Sequence, residues 1–205
     1  ALEKMEQVDT LVVDKTGTLT EGRPKVVHIE PVSGFALDQV LQRLASVERA
    51  SEHPLAMAIV TDAQQRGLAL SAVTDFDSPV GQGVVGTVDG QRVVSGSARF
   101  LAEHAIDTGS LAGAAEAQRR KAATVIFVGV GGRLAGFVAI ADPIKETTPQ
   151  ALQALRAAGV RVVMLTGDGQ TTADAVGREL GIDDVVADVL PQDKAAVVQR
   201  LQAEG

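Results

Sequence analysis

Apolar positions follow one rhythm at the two ends of the chain and another in its middle. Near the front, residues 10–13 form a short apolar run that stops at Asp14, the pattern of a strand covered on both faces in a parallel sheet. The polar Lys15-Thr16-Gly17-Thr18 that follows reads as a turn. Near the back, the run 160–165 leads into Thr166-Gly167-Asp168 and then a helix over about 172–180, which Gly181 terminates. A third run, 185–189, passes through Leu190-Pro191-Gln192-Asp193 into a helix that carries Lys194. Ahead of these, Thr147-Thr148-Pro149 reads as a capped helix start with proline at the first position. Leu152 and Leu155 share one face of that helix, and Gly159 ends it. Strand, turn and helix in alternation predict a doubly wound, parallel α/β sheet.

The middle differs. Two helical stretches, about 37–50 and 54–65, precede a glycine-rich run of short alternating strands. Asp89-Gly90 between 84–88 and 92–95, and Gly131-Gly132 between 124–130 and 134–140, are hairpin turns by their dipeptides. This predicts an α+β insertion with an antiparallel sheet. One α/β domain then begins at 1–21, is interrupted by a second domain at 22–140, and resumes at 141–205, with hinge strands near Pro24 and Pro143. No internal repeat or low-complexity tract interrupts this plan.

With 205 residues, 45% apolar and 22% charged, the chain has ordinary globular composition. A net charge of −7 leaves no cationic surplus to neutralise phosphates and argues against a nucleic-acid partner. Cysteine is absent, which removes disulfides, thiol nucleophiles and thiolate metal sites and suits a reducing compartment. The longest charge-free stretches, 78–88 and 122–132, fall far short of the roughly 20 apolar residues of a membrane span. Residues 1–7 carry Glu3, Lys4 and Glu6 and lack the apolar core of a signal peptide.

The chemistry concentrates at strand ends. Asp14 closes a predicted strand, and the backbone N–H groups of the Lys-Thr-Gly-Thr turn can cradle a phosphate. Thr166 and Lys194 follow two other predicted strands, so carboxylate, hydroxyl and ammonium converge on the edge where open α/β sheets bind ligands. That set suits phosphoryl transfer to a carboxylate: Asp14 attacks, while Lys194, Thr166 and a metal offset charge on the phosphoryl oxygens. The bland alternative is a strand-end Asp that caps its own turn. Ser51-Glu52-His53-Pro54 has a similar bland reading, Ser51 or His53 as helix cap and Pro54 at the first helical position.

The run Asp14-Lys15-Thr16-Gly17-Thr18-Leu19-Thr20 resembles the phosphorylation signature of P-type cation-transporting ATPases, whose phosphorylation domain has a haloacid dehalogenase-like fold. Asp142-Pro143, Thr166-Gly167-Asp168 and Pro191-Gln192-Asp193-Lys194 resemble that family's further motifs in the same order. Ser51-Glu52-His53-Pro54 together with Gly81-Gln82-Gly83-Val84-Val85-Gly86 resembles the nucleotide-binding domain of the heavy-metal subgroup, also called P1B-type. The resemblance implies that ATP phosphorylates Asp14, that Lys15, Thr16, Thr166, Gly167, Asp168 and Lys194 complete the catalytic set, and that Asp14 and the Thr16 carbonyl bind Mg²⁺. It places Glu52, His53, Gly81, Gly83, Gly96 and Ser97 around ATP. Related phosphatases carry an acidic acid/base catalyst where Thr16 stands, so the acyl phosphate is expected to persist.

Two departures qualify the match. Gly96 is followed by Ser97 where the family commonly has Asn, and Ser97 reads equally well as the N-cap of a helix over 98–104. The chain also stops before the family's Gly-Asp-Gly-x-Asn-Asp segment, whose carboxylates complete the Mg²⁺ site. The expectation is a cytoplasmic piece, weak or inactive as isolated, of an integral protein of a bacterial inner membrane, exporting Cu(I), whose partners are ATP and the transmembrane and actuator domains of the same pump. Zn, Cd or Co transport, a stand-alone phosphatase, and a nucleotide-binding module without chemistry of its own are the alternatives. His28 and His104 read as surface histidines, and 118–121 as a solvated helix end.

Overall fold

A computed structural model describes residues 8–51 and 53–203, with Pro191 by its backbone alone. The chain opens with β1 (Thr10–Asp14) and passes through β2 (Lys25–Pro31), α1 (Leu37–Glu48), α2 (Pro54–Gln65), β3 (Val73–Asp77), β4 (Gly83–Val88) and β5 (Gln91–Gly96). It continues with α3 (Ala98–Glu103), α4 (Ala112–Arg119), β6 (Thr124–Val130) and β7 (Arg133–Ala141). It ends with α5 (Thr148–Ala157), β8 (Arg161–Leu165), α6 (Gln170–Leu180), β9 (Asp184–Val186) and α7 (Lys194–Ala203). Two compact units result. One comprises the chain through Gly22, Arg120–Ala122 and everything from Asp142 on; the other is Arg23–Arg119 with Ala123–Ala141.

In the first unit β1, β8 and β9 form a parallel sheet in that order, with Asp14 in register with Leu165 and Met164 with Val185. The helices that follow the strands cover it through a core of Leu19, Leu152, Met164, Val176 and Leu180. Gly181 takes φ +65° and closes α6, as its position predicts. Two expectations fail here. β1 is half-buried along its whole length, not enclosed, because among the described residues only β8 pairs with it. Thr147 does not cap α5: its backbone is already helical, Pro149 falls at the second helical position, and the Thr148 hydroxyl donates instead to the Leu19 carbonyl at 2.8 Å.

The second unit is an antiparallel six-stranded sheet in the order β2-β7-β6-β5-β4-β3. Alternation along the strands sends Val84, Val88 and Val93 to the face covered by α1 and α2. Val85, Val94, Phe127 and Phe137 go to the face covered by α3 and α4. Asp89-Gly90 and Gly131-Gly132 all take positive φ, so both two-residue turns have the twist that tight hairpins require. The edge strands β2 and β3 were not distinct in the sequence pattern.

Candidate functional site

In the first unit the site grows from the register of β1 on β8. Because Asp14 ends β1 opposite Leu165, the turns that follow both strands start side by side. Lys194, the first residue of α7, donates from Nζ to Asp14 Oδ1 at 2.8 Å. Lys15 is buried and forms an ion pair with Asp168. The Thr166 hydroxyl donates to Asp168 Oδ2 at 3.0 Å and accepts the Asp168 N–H at 3.1 Å, so the turn after β8 closes on itself. Thr16, Gly17 and Thr18 face solvent, and Gly17 takes φ +76°, a conformation that glycine adopts without strain. Gly167 lies inside the turn, where a Cβ would sit 3.3 Å from the Val189 carbonyl.

The sequence-predicted set Asp14, Lys15, Thr166, Asp168 and Lys194 is thus gathered at one edge of the parallel sheet. Two ammonium groups oppose two carboxylates, so an incoming phosphate leaves the site with excess negative charge. Asp14 and the Thr16 carbonyl are hard oxygen donors of the kind Mg²⁺ takes when it is held jointly by a protein and a nucleotide. The donor set fits that role and no more, since no group of three or more acidic, His or Cys side chains among the described residues could hold a metal ion alone.

In the second unit the predicted residues divide. Glu52 lies outside the described residues. His53 is the N-cap of α2: its Nδ1 accepts the Leu55 N–H at 3.2 Å, which leaves Nε2 to carry the proton in the neutral ring. Gly81 and Ser97 line a cavity of about 160 Å³ with Gln82, Arg99, Phe100 and Glu103. Ser97 also caps α3 by accepting the Phe100 N–H at 3.2 Å. Gly83 and Gly96 face each other across β4 and β5 over the Phe100 ring. A Cβ on Gly83 would lie 2.2 Å from the Ser95 carbonyl and 2.6 Å from Phe100, and one on Gly96 would lie 2.7 Å from both the Gln82 carbonyl and Phe100. Packing therefore demands both glycines, whatever else approaches them.

Glu48 was not singled out from the sequence. It lies on the buried stripe of α1 with Leu41, Leu44 and Ala45, where its spacing put a charge on an apolar face. Its Oε1 accepts the Ser95 hydroxyl at 3.0 Å, and burial raises its pKa more than that hydrogen bond lowers it. The histidines set aside earlier are engaged too: His28 Nε2 is 2.8 Å from Glu30 Oε2, and His104 packs edge-on against Phe100 at 4.8 Å. Arg119 in the 118–121 segment stacks over Phe127 at 5.8 Å.

A family model described as haloacid dehalogenase-like hydrolase matches residues 8–205. Over all 205 residues the chain is 52% identical to the silver exporting P-type ATPase of Salmonella typhimurium, covering 25% of that protein. It is 47% identical to the copper-exporting P-type ATPase of Legionella pneumophila and covers 28% of it. A crystal structure of a zinc-transporting PIB-type ATPase in an E2.Pi state matches with TM-score 0.70 and 34% identity, over 100% of this chain and 33% of the other. The chain thus spans about a quarter of the length of the curated relatives it matches.

Proposed function

The chain belongs to the haloacid dehalogenase-like hydrolases, and from that premise we propose that it is the ATP-binding and autophosphorylating cytoplasmic region of a heavy-metal P-type ATPase. The observation that carries this reading is the pairing of Lys194 with Asp14 at 2.8 Å beside the Lys15–Asp168 ion pair. With Oδ1 held by Lys194, Asp14 attacks the terminal phosphorus of ATP through Oδ2. A carboxylate–phosphorus bond forms, the bond to the ADP oxygen breaks, and ADP leaves with the electron pair. Lys194 and Lys15 offset charge on the transferred oxygens, and Thr166 helps orient them. Asp14 and the Thr16 carbonyl would hold Mg²⁺, which supplies further charge compensation when bound. Thr16 has no basic side chain to activate water, so the acyl phosphate persists long enough to drive a conformational step.

In the second unit, His53, Gly81, Gly83, Gly96, Ser97 and the undescribed Glu52 form the proposed nucleotide set, to which we add Glu48 as a carboxyl buried beside Ser95. Cu(I) is the proposed cargo, supported by the silver and copper exporters at 52% and 47% identity against 34% for the zinc transporter. No helix among the described residues is long and apolar enough to cross a membrane, and the proposed membrane partner is the remainder of the same pump in a bacterial inner membrane. The test is acid-quench labelling of the whole pump that carries this chain, with γ-labelled ATP and Mg²⁺. Label is expected on Asp14 and absent from Asp14→Asn, in which a carboxamide of the same size is no nucleophile. Equal labelling of both proteins would overturn the reading.

A further inference from the structure

Gly17, at the exposed crest of the loop after Asp14, has nothing within 4 Å of where a Cβ would stand. Lys15 and Leu19 anchor the loop at its ends, but side-chain packing does not hold Gly17 itself, and glycine tolerates many conformations. Hydrogen bonds from 142–148 do the holding. Asp142 Oδ2 accepts the Thr20 hydroxyl at 2.5 Å and the Gly22 N–H at 3.2 Å. Pro143 accepts the Glu21 N–H at 2.8 Å, and Lys145 N–H donates to the Leu19 carbonyl at 3.1 Å. Lys145 Nζ reaches further and donates to the Gly17 carbonyl at 2.6 Å.

We propose that Asp142 and Lys145 are positioning residues that clamp Gly17 from both sides and thereby aim the backbone of the Asp14 loop. The Thr20 hydroxyl has one proton and two candidate acceptors, Asp142 Oδ2 at 2.5 Å and the Lys15 carbonyl at 3.1 Å. The carboxylate takes it, being charged. Asp142 thus fixes the hydroxyl rotor and turns a lone pair to the Gly17 N–H, which donates to it at 3.2 Å. Lys145 holds the carbonyl of the same residue. Because N–H and C=O point in opposite directions across a planar trans peptide, holding the Gly17 N–H directs the Thr16 carbonyl, and holding the Gly17 carbonyl directs the Thr18 N–H. One clamp therefore aims an acceptor suited to a cation and the other a donor suited to a phosphate. That they serve phosphorylation of Asp14 rests on the function proposed above; the clamp itself does not.

The test combines amide exchange and carbonyl shifts by NMR on this chain with the labelling assay on the whole pump that carries it, each with the Asp142→Ala, Lys145→Met and Lys145→Arg variants. Losing a hydrogen-bond partner in the charged relay should speed Gly17 amide exchange in Asp142→Ala by about tenfold or more, with β8 amides unmoved. Lys145→Met should shift the Gly17 carbonyl resonance, and Lys145→Arg should restore it. At saturating ATP, the labelling rate should fall about ten- to a hundredfold in Asp142→Ala and Lys145→Met with ATP affinity unchanged, and recover in Lys145→Arg. Thr20→Val, nearly the same shape but without the hydroxyl that links Asp142 to the Gly17 N–H, takes the place of the alanine variant if that one fails to fold. Unchanged exchange and shifts would overturn the clamp, and a lost clamp with an unchanged rate would overturn its positioning role. If the whole pump takes no label, the function proposed above falls and takes the positioning role with it, while exchange still decides whether the clamp exists.

Discussion

Lys194 Nζ donates to Asp14 Oδ1 across 2.8 Å although 180 positions separate the two residues. Both side chains remain open to water, at 33% and 43% exposure, so the pair contributes less than about 1 kcal/mol to folding. Lys194→Met should accordingly leave the urea-unfolding free energy within about 1 kcal/mol of the parent. Labelling of Asp14 should fall about a hundredfold or more, as when a charge-stabilising donor is removed. A large loss of stability with labelling intact would make Lys194 a structural residue.

Glu48 makes the second unit sensitive to pH. Its folded-state pKa lies above the unfolded value because burial disfavours the carboxylate. Between the two values the folded chain keeps a proton that the unfolded chain has released, so stability falls as pH rises through that window and stays lower above it. Glu48→Gln should remove this dependence. Urea midpoints of variant and parent should agree near pH 4 and separate, with the variant the more stable, toward about pH 8. A constant gap at every pH would contradict the assignment.

Gly83→Ala tests packing against ligand approach. A methyl group 2.2 Å from the Ser95 carbonyl and 2.6 Å from Phe100 forces β5 or α3 to move, at a cost of about 1–3 kcal/mol. Thermal unfolding should show it without any nucleotide present. If stability holds and only ATP affinity drops, the glycine is there for the ligand.

Residues 23–141 carry their own two cores and should fold and bind adenine nucleotide when expressed alone. His53→Asn keeps a side chain that can cap α2 but removes the ring. Calorimetry should show ATP binding weakened by about 1–2 kcal/mol with little change in stability. Full affinity in the variant would return His53 to capping alone.

Much of this was legible where one short stretch decides its own conformation. The strand that ends at Asp14, though less covered than its apolar run predicts, the glycine stop at Gly181 and the Asp89-Gly90 turn all form where their residues dictate. β2 and β3 were not legible: Lys25, His28 and Glu30 dilute the apolar pattern of one, and Asp75 at φ +51° with a shifted register breaks the alternation of the other. Places after predicted parallel strands brought Asp14, Thr166 and Lys194 together before any geometry was known, and resemblance added the roles. It could not show that Asp142 and Lys145 hold Gly17, because hydrogen bonds spanning 122 and 128 positions leave no periodic trace along the chain. Glu48 does leave a trace, a charge on the apolar stripe of α1.

The pairing of Lys25 with Ala141 bears on the order in which the molecule assembles. Once β2 lies against β7, the ends of the second unit meet, and Gly22 is brought toward Asp142, 120 positions away. The loop that must close before β1 can find β8 then shrinks from the 146 residues between Asp14 and Arg161 to about 29, those of 15–24 and 142–160, which lowers its entropic cost by about 1.4 kcal/mol on the logarithmic law of loop closure. The inserted unit should therefore fold first. A refolding experiment should show its amides protected before those of β1 and β8, and core substitutions such as Phe137→Ala should slow the arrival of a strand pair they never touch.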